Sequence, residues 1–475
     1  MIEHKKAFQD LDGLVLYREI LSSPLITAFR RVWQTAASAI ADKQELLKEY
    51  CLLVEQMLGN LDRLPWTFQG EGWTALMVME LLHQENLFSL WAEKGRILPA
   101  KLQSDQLTQE IIGLAARDLK VLGEVARISQ QELANLVGSR LGVPESALPS
   151  WNLPGLCSSK PAPPQERQEA WRYFLSDKSW AEGGGILAEY YRTNGAGRLG
   201  RYYAFRWQTA QAAATNAAAP AAANKTAEWR PADAMLPVIS RDPIRFSQLS
   251  GYEREHQKLI QNTQQFLAGL PANNVLLYGD RGTGKSSAVK ALLNEYGPKG
   301  LRLVEMTKAQ LPDLPYLLEE LKERGLHFII FIDDLSFLEQ DSQYAALKAV
   351  LEGGIAVKPD NVLIYATSNR RHLLPEKFQD RQIVGDEDLR TGDTLQEKLS
   401  LADRFGMTIT FLSPDQKGYL RIVEELAAAR QLPISKEALE RRALEWEIRQ
   451  NLRSPRTARQ FVDHLTGELQ LESGQ

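Results

Sequence analysis

One stretch limits the possible folds more than any other. Residues 275–279 (VLLYG) form a short apolar run that ends in glycine. The pattern G-x-x-x-x-G-K-S follows as Gly279, Asp280, Arg281, Gly282, Thr283, Gly284, Lys285 and Ser286. Residues 287–295 (SAVKALLNE) then read as a helix. A strand, a glycine loop and a helix in that order make a phosphate cradle. The glycines let the backbone curl so that N–H groups point inward at phosphate oxygens. The helix start adds partial positive charge. Lys285 is placed to reach the β- and γ-phosphates, and the Ser286 hydroxyl to ligate Mg²⁺. The expectation is ATP with Mg²⁺, held by Gly279 through Ser287.

Such a loop needs a second strand that delivers an acid to the metal. Residues 327–334 (HFIIFIDD) supply one. The continuous apolar run 328–332 suits a strand covered on both faces. Asp333 at its end is the expected Mg²⁺ ligand, and Asp334 the group that polarises the attacking water. A further strand, 362–367 (VLIYAT), ends in Ser368-Asn369, where Asn369 could orient that water. Residues 407–412 (MTITFL) and 301–306 (LRLVEM) bring the count to five short apolar strands, most of them separated by helical stretches. That alternation predicts an α/β fold with a parallel sheet and a ligand at the carboxyl ends of its strands.

The rest of the chain is less explicit. At 475 residues it has length for about three domains. Hydrophobic residues at 44% and charged residues at 24% are ordinary globular values, which exclude a chain disordered throughout. The net charge of −4 advertises neither nucleic acid nor membrane. No apolar signal core and no membrane-spanning run is present. Cys51 and Cys157 cannot build a disulfide framework, so reduced thiols in the cytoplasm are expected. Residues 208–227 are alanine-rich, nearly uncharged and interrupted by Pro220, and read as a linker.

Before the linker the pattern is mainly helical. In residues 44–61, Leu46, Leu47, Tyr50, Cys51, Val54, Leu58 and Leu61 recur at helical spacing. Residues 73–95 and 107–126 behave similarly, and residues 152–168 read as an exposed connector. These stripes read as core faces of a bundle, with a partner-binding groove as the alternative. Residues 183–207 interleave glycine, arginine and aromatics. Two readings stand: a hairpin turning at residues 194–197, or a stacking platform for single-stranded nucleic acid. The boundaries are then a helical N-terminal region 1–207, a linker 208–240, a nucleotide-binding core 241–412 and a C-terminal segment 413–475.

Taken together, these motifs resemble the AAA+ ATPases. GDRGTGKS resembles Walker A, FIIFIDD Walker B and ATSN sensor 1. LADRFG resembles the arginine-finger box, and SPRTARQF the sensor 2 helix. NNVLLYGDRGTGKSS, FIIFIDDLSF and EKLSLADRFG are similar to the bacterial AAA+ family catalogued as domain of unknown function 815. The resemblance implies a five-stranded parallel αβα core with a three-helix lid over residues 414–470. Two of these helices would open on Ser-Pro, with serine as cap. It also implies a site shared between subunits of a homo-oligomer. Arg404 would be the finger reaching the neighbour's γ-phosphate, and Arg456 the sensor 2 contact, with Arg459 its rival. Leu249, Gly251 and Tyr252 would lie near the adenine. An unknown protein partner would meet the N-terminal region, with nucleic acid as a further candidate and no membrane. The charged run 370–398 leads towards Arg404 and reads as a solvated loop or a subunit contact. Walker B here is Asp-Asp where most AAA+ proteins have Asp-Glu, which points to slow turnover. Neither an aromatic pore-loop triplet after the second strand nor a C-terminal helix-turn-helix is found.

Overall fold

The computed structural model describes residues 10–38, 42–95, 106–152, 160–208, 234–336, 342–351, 358–369 and 404–473. Cys157, the alanine-rich linker from 209 onward and the charged run 370–398 lie outside the described residues. The chain divides into two compact units, Met1–Arg201 and Tyr202–Gln475.

The first unit is helical. Its helices are α1 (Pro24–Ala37), α2 (Lys43–Arg63), α3 (Gly72–Leu82), α4 (Leu87–Glu93), α5 (Gln106–Ala126), α6 (Gln130–Leu141), α7 (Gln165–Leu175), α8 (Gly184–Asn194) and the short α9 (Gly197–Arg201). Helix α2 turns a slightly different face inward than its sequence stripe suggests. Leu46, Tyr50, Leu53, Val54, Met57 and Leu61 are buried, while Leu47 and Cys51 are exposed. The inward set steps by three and four residues, as packing against neighbouring helices requires. Residues 73–95 break into two helices because Asn86 caps α4, its Oδ1 accepting from Ser89 N at 2.9 Å.

Residues 183–207 form neither of the two predicted structures. Gly184–Asn194 is a helix, and Asn194-Gly195 is its stop, with Gly195 at φ 85°. Tyr190 and Tyr191 are buried in the unit's core, so they offer no stacking face. The glycine at 183 is required by packing, since a Cβ there would lie 2.6 Å from the Tyr173 ring.

The second unit holds a seven-stranded sheet, with strands β1 (Ala204–Trp207), β2 (Met235–Pro237), β3 (Val275–Gly279), β4 (Leu301–Met306), β5 (His327–Ile332), β6 (Val362–Ser368) and β7 (Met407–Phe411). The order is β2-β1-β4-β5-β6-β3-β7. Only β2 is antiparallel to its neighbour. The five strands read from sequence are the parallel core, and β1 and β2 extend its edge. Ala204–Trp207 therefore belongs to the sheet, whereas the sequence reading left it in the N-terminal region. The reason is non-local: Phe205 finds its register against Val304, about a hundred residues on.

Helices α10 (Glu253–Leu267) and α11 (Lys285–Tyr296) bury Leu259, Phe266, Ala288 and Leu292 against Val275, Leu277, Ile329 and Tyr365. The alternate residues Leu276, Ile330 and Ile364 are also fully buried, with α12 (Leu314–Lys322) against β6 and α13 (Ser342–Leu351) beside α12. The sheet is thus covered on both faces, which explains its unbroken apolar runs. Beyond β7 come α14 (Gln416–Ala429), α15 (Lys436–Gln450) and α16 (Pro455–Ser473). They share a core of Tyr419, Ile422, Leu439, Phe461 and Leu465. This is the helical lid that the AAA+ resemblance implies. Ser454 caps α16 as expected, with Pro455 at the first position. Helix α14 departs from expectation: its cap is Asp415, whose Oδ1 accepts from Gly418 N at 2.7 Å, and Ser413 bonds elsewhere.

Candidate nucleotide site

The parallel strands β3, β5 and β6 end side by side. Their carboxyl ends bring the loop, the two acids and the amide together, although they are as far apart as 90 residues in sequence (279 against 369). The loop from Gly279 to Gly284 turns tightly between β3 and α11. Gly279 sits at φ 140°, and a Cβ there would lie 1.9 Å from Phe411 O. Gly282 sits at φ 80°, and a Cβ there would come within 2.9 Å of Ser454 Oγ. No other residue type suits either position. Thr283 fastens the loop to itself, its hydroxyl donating to Asp280 O at 2.8 Å.

Lys285 is buried, with 7% of its surface exposed. Its Nζ donates to Gly279 O at 2.8 Å, Asp280 O at 2.7 Å and Asn369 Oδ1 at 3.2 Å. Burial draws its pKa down, and the carboxylates of Asp280, Asp333 and Asp334 pull the other way. The Ser286 hydroxyl donates to Asp333 Oδ1 at 2.6 Å. Loop and Walker B strand are thus joined at the two residues expected to hold Mg²⁺. Asn369 Nδ2 donates to Asp334 Oδ1 at 2.7 Å, so sensor amide and expected base are in contact. Asp334 takes a left-handed backbone, φ 53°.

Thr367 is a site residue that the sequence reading missed. Its hydroxyl donates to Asp333 Oδ1 at 2.5 Å and accepts from Asp334 N at 2.9 Å. It fixes both acids from the neighbouring strand. Only its place just before Ser368-Asn369 could have signalled it. Asp280 was read as a loop residue, and its carboxylate does something further. Oδ2 accepts from Ser413 N at 2.7 Å, which holds its carboxyl below the usual range and ties the loop to the segment entering the lid.

Apart from Gly279 and Asp280, these groups line one cleft of about 680 Å³, an ordinary size for a small-ligand site. Arg281, Lys285, Arg456 and Arg459 provide four cations, against two carboxylates from Asp333 and Asp334. Both candidates for sensor 2 therefore face the cleft. The Arg456 backbone N–H also donates to Gly282 O at 3.2 Å. The cleft also has apolar lining from Ile244, Leu249, Ile422 and Leu426. His256 lines it too, beside Phe246 and Phe411, and burial lowers its pKa to about 4. Of the three residues expected near adenine, only Leu249 lines the cleft. Gly251 packs beneath Ile422, and Tyr252 instead donates from its hydroxyl to Leu412 O at 2.5 Å. Arg404 is not among the lining residues. It precedes β7, at the end of the sheet opposite the phosphate loop.

The residues fit ATP with Mg²⁺. The loop presents backbone donors and a buried ammonium, the excess of positive charge suits an anion, and Ser286 with Asp333 is a hard oxygen pair. Among the described residues no cluster of three or more His, Cys, Asp or Glu could hold a metal without such a ligand. No described helix is long and apolar enough to cross a membrane.

The sequence matches the family described as "Protein of unknown function (DUF815)" over residues 222–469, more than half of the chain. The chain belongs to that family, and its described fold, a mostly parallel sheet with the glycine loop after β3 and three helices after β7, has the form that the AAA+ resemblance implies. No curated protein matches it. Among solved structures, a mutant form of Thermotoga maritima RuvB is 17% identical, covering 49% of this chain and 67% of that one, at a TM-score of 0.34. The Thermotoga maritima RuvB Holliday junction branch migration motor is 16% identical, covering 47% of this chain and 72% of that one, at a TM-score of 0.29.

Proposed function

We propose that this member of the DUF815 family binds ATP with Mg²⁺ and hydrolyses it to ADP and phosphate, using the energy to remodel a protein partner. The observation that carries the reading is the convergence of Lys285, the Ser286–Asp333 pair and the Asn369–Asp334 pair on one cleft. In this reading the loop N–H groups and Lys285 hold the β- and γ-phosphates. Ser286 and Asp333 hold Mg²⁺, which supplies positive charge on the phosphate oxygens when bound. Asp334, oriented by Asn369, accepts the proton of the attacking water. Arg456, or Arg459 one helical turn on, contacts phosphate from the lid.

Arg404 lies outside its own chain's cleft, before β7 at the opposite end of the sheet, and service in a neighbouring protomer of a homo-oligomer is the role proposed for it. Its guanidinium would stabilise transition-state charge there. The N-terminal unit is the proposed seat of the partner, and residues 208–240 remain the proposed linker, shortened at its C-terminal end by β2. The cytoplasm is the proposed compartment.

A second reading, a slow nucleotide-dependent switch or loader acting near DNA, is favoured by one feature. Asp334 is one methylene shorter than glutamate, and its carboxylate is already engaged by Asn369. The experiment that separates the two is ATP turnover against protein concentration, with mass measured by light scattering in ATP and in ADP. Specific activity that rises as a larger species forms, and that Arg404→Ala abolishes while sparing ATP binding, supports the shared-site ATPase. Tight binding with no turnover at any concentration selects the switch.

A further inference from the structure

Arg281 stands at the tip of the phosphate loop, and neither the fold nor the proposed roles account for it. Its neighbours are fixed on both sides. Asp280 bonds through its backbone N–H to Phe411 O at 3.0 Å and through its carboxylate to Ser413 N at 2.7 Å. Gly282 accepts from Arg456 N and lies against Ser454. The residue between these two ties has little backbone freedom. Its side chain is exposed, lines the cleft, and makes no hydrogen bond or ion pair among the described residues. A cation on a clamped backbone, open to an anion site, loses little backbone entropy when it binds, so that only its side-chain rotamers remain to be fixed. The terminal-phosphate end of the cleft is marked by Lys285, Asn369 and Asp334, and Lys285 is the only other cation that the loop contributes there.

We propose that Arg281 binds the terminal phosphate of ATP from within the same chain, so that it distinguishes ATP from ADP without a neighbouring protomer. Guanidinium suits this role because its planar fork donates to two phosphate oxygens at once, whereas an ammonium acts as a point charge. The proposal rests on the nucleotide-binding reading of this cleft, and it divides labour between two arginines. Arg281 reads the γ-phosphate in the isolated protomer, while Arg404 acts only after assembly.

The test is equilibrium titration of the full chain with fluorescent ATP and ADP analogues, at dilutions where light scattering shows a single protomer. Arg281→Ala, Arg281→Lys and Lys285→Ala are compared with the wild type. Arg281→Ala is expected to weaken ATP binding about tenfold while leaving ADP binding within about twofold. Arg281→Lys should recover part of the loss. Thermal unfolding should be unchanged in both, because the side chain is exposed. An equal loss for ATP and ADP, or no loss for either, overturns the proposal. The underlying reading fails in a different way: the wild type would bind neither nucleotide, or Lys285→Ala would bind both as the wild type does.

Discussion

Arg167 in the helical unit and Lys285 in the sheet unit are both buried cations, and the two are held differently; the sheet unit buries a second cation, Arg302, as well. In the helical unit Arg167 is 4% exposed. Its Nε donates to Asn194 Oδ1 at 3.2 Å, a terminal nitrogen donates to Gly200 O at 2.8 Å, and the guanidinium lies 5.4 Å from the Trp66 ring centroid. Asn194 in turn donates to Glu166 O and Tyr190 O. This is a closed set of interior partners that joins α7, α8 and α9. Lys285 is buried to a similar degree, but its partners are two backbone carbonyls and one amide on the wall of an open cleft. Those carbonyls belong to the loop that would receive phosphate. A buried charge is thus no sign of function by itself. What separates the two is whether the partner set is closed by packing or faces space that an anion can enter.

The largest effect expected from this contrast is on stability. Arg167→Ala removes the donors and leaves Gly200 O and Asn194 Oδ1 enclosed without them. It should cost about 3 kcal/mol, read by denaturant or thermal unfolding. A variant that unfolds like the wild type would break the contrast at its structural end. Lys285→Ala should invert the pattern. ATP affinity should fall about 100-fold, while stability changes by less than about 1 kcal/mol, because the desolvated ammonium already offsets its own hydrogen bonds. Calorimetric titration and a melting curve on the same sample measure both. Unchanged ATP affinity would remove Lys285 from the site.

What could be read from sequence follows the same division. The loop 279–287 was legible because its residue types are dictated locally, by φ values and by phosphate. Asp333, Asp334 and Asn369 were legible because each ends an apolar strand. The tie from Asp280 to Ser413 was not, since 133 residues separate them and neither type is unusual in its place. Thr367 was passed over for the same reason: a strand threonine means nothing until a neighbouring strand places Asp333 beside it. In the helical unit, Asn194-Gly195 was read as a hairpin turn when it is a helix stop. Both features need a glycine at positive φ, so the dipeptide cannot distinguish them. The glycine at 183, just before the helix, is set by a contact that sequence does not show, its close approach to Tyr173 and Phe174.

Two histidines extend the comparison to acid. His83, in the helical unit, has its Nδ1 on Met79 O at 2.8 Å and an enclosed Nε2 without a partner among the described residues. Burial first, then Arg167 and Arg201, lower its pKa to about 3, and burial lowers that of His256 to about 4. In each case the unfolded chain takes up the proton first, near pH 6.5. Stability should therefore be level above about 6.5 and fall as the pH drops. The contribution of His256 ends near pH 4, and that of His83 continues to about 3. From pH 6.5 to pH 5 the loss should be about 2 kcal/mol for His83. Replacing His83 with glutamine should flatten the acid limb of an unfolding curve. If the slope between pH 5 and 6.5 is unaltered, His83 is not the group that responds.

The smallest effect tests whether loop and lid act as one site. Ser454 is fully buried, and its Oγ accepts from Thr457 N at 3.1 Å, capping α16. The same oxygen would meet a Cβ placed on Gly282 at 2.9 Å, so cap and phosphate loop are in close contact. Ser454→Ala removes the cap and should cost about 1 kcal/mol of stability. It should leave ATP affinity nearly unchanged, because the contact surface becomes smaller. Ser454→Thr keeps the capping oxygen but adds a methyl group against Gly282. Its stability should be closer to the wild type, and its ATP affinity lower by about threefold, as the extra volume must displace the loop or the helix start. The two substitutions thus separate the cap from the contact. If threonine binds ATP as tightly as serine does, the lid can shift without moving the loop, and the loop's ties to Ser413 and Arg456 do not couple it to the lid.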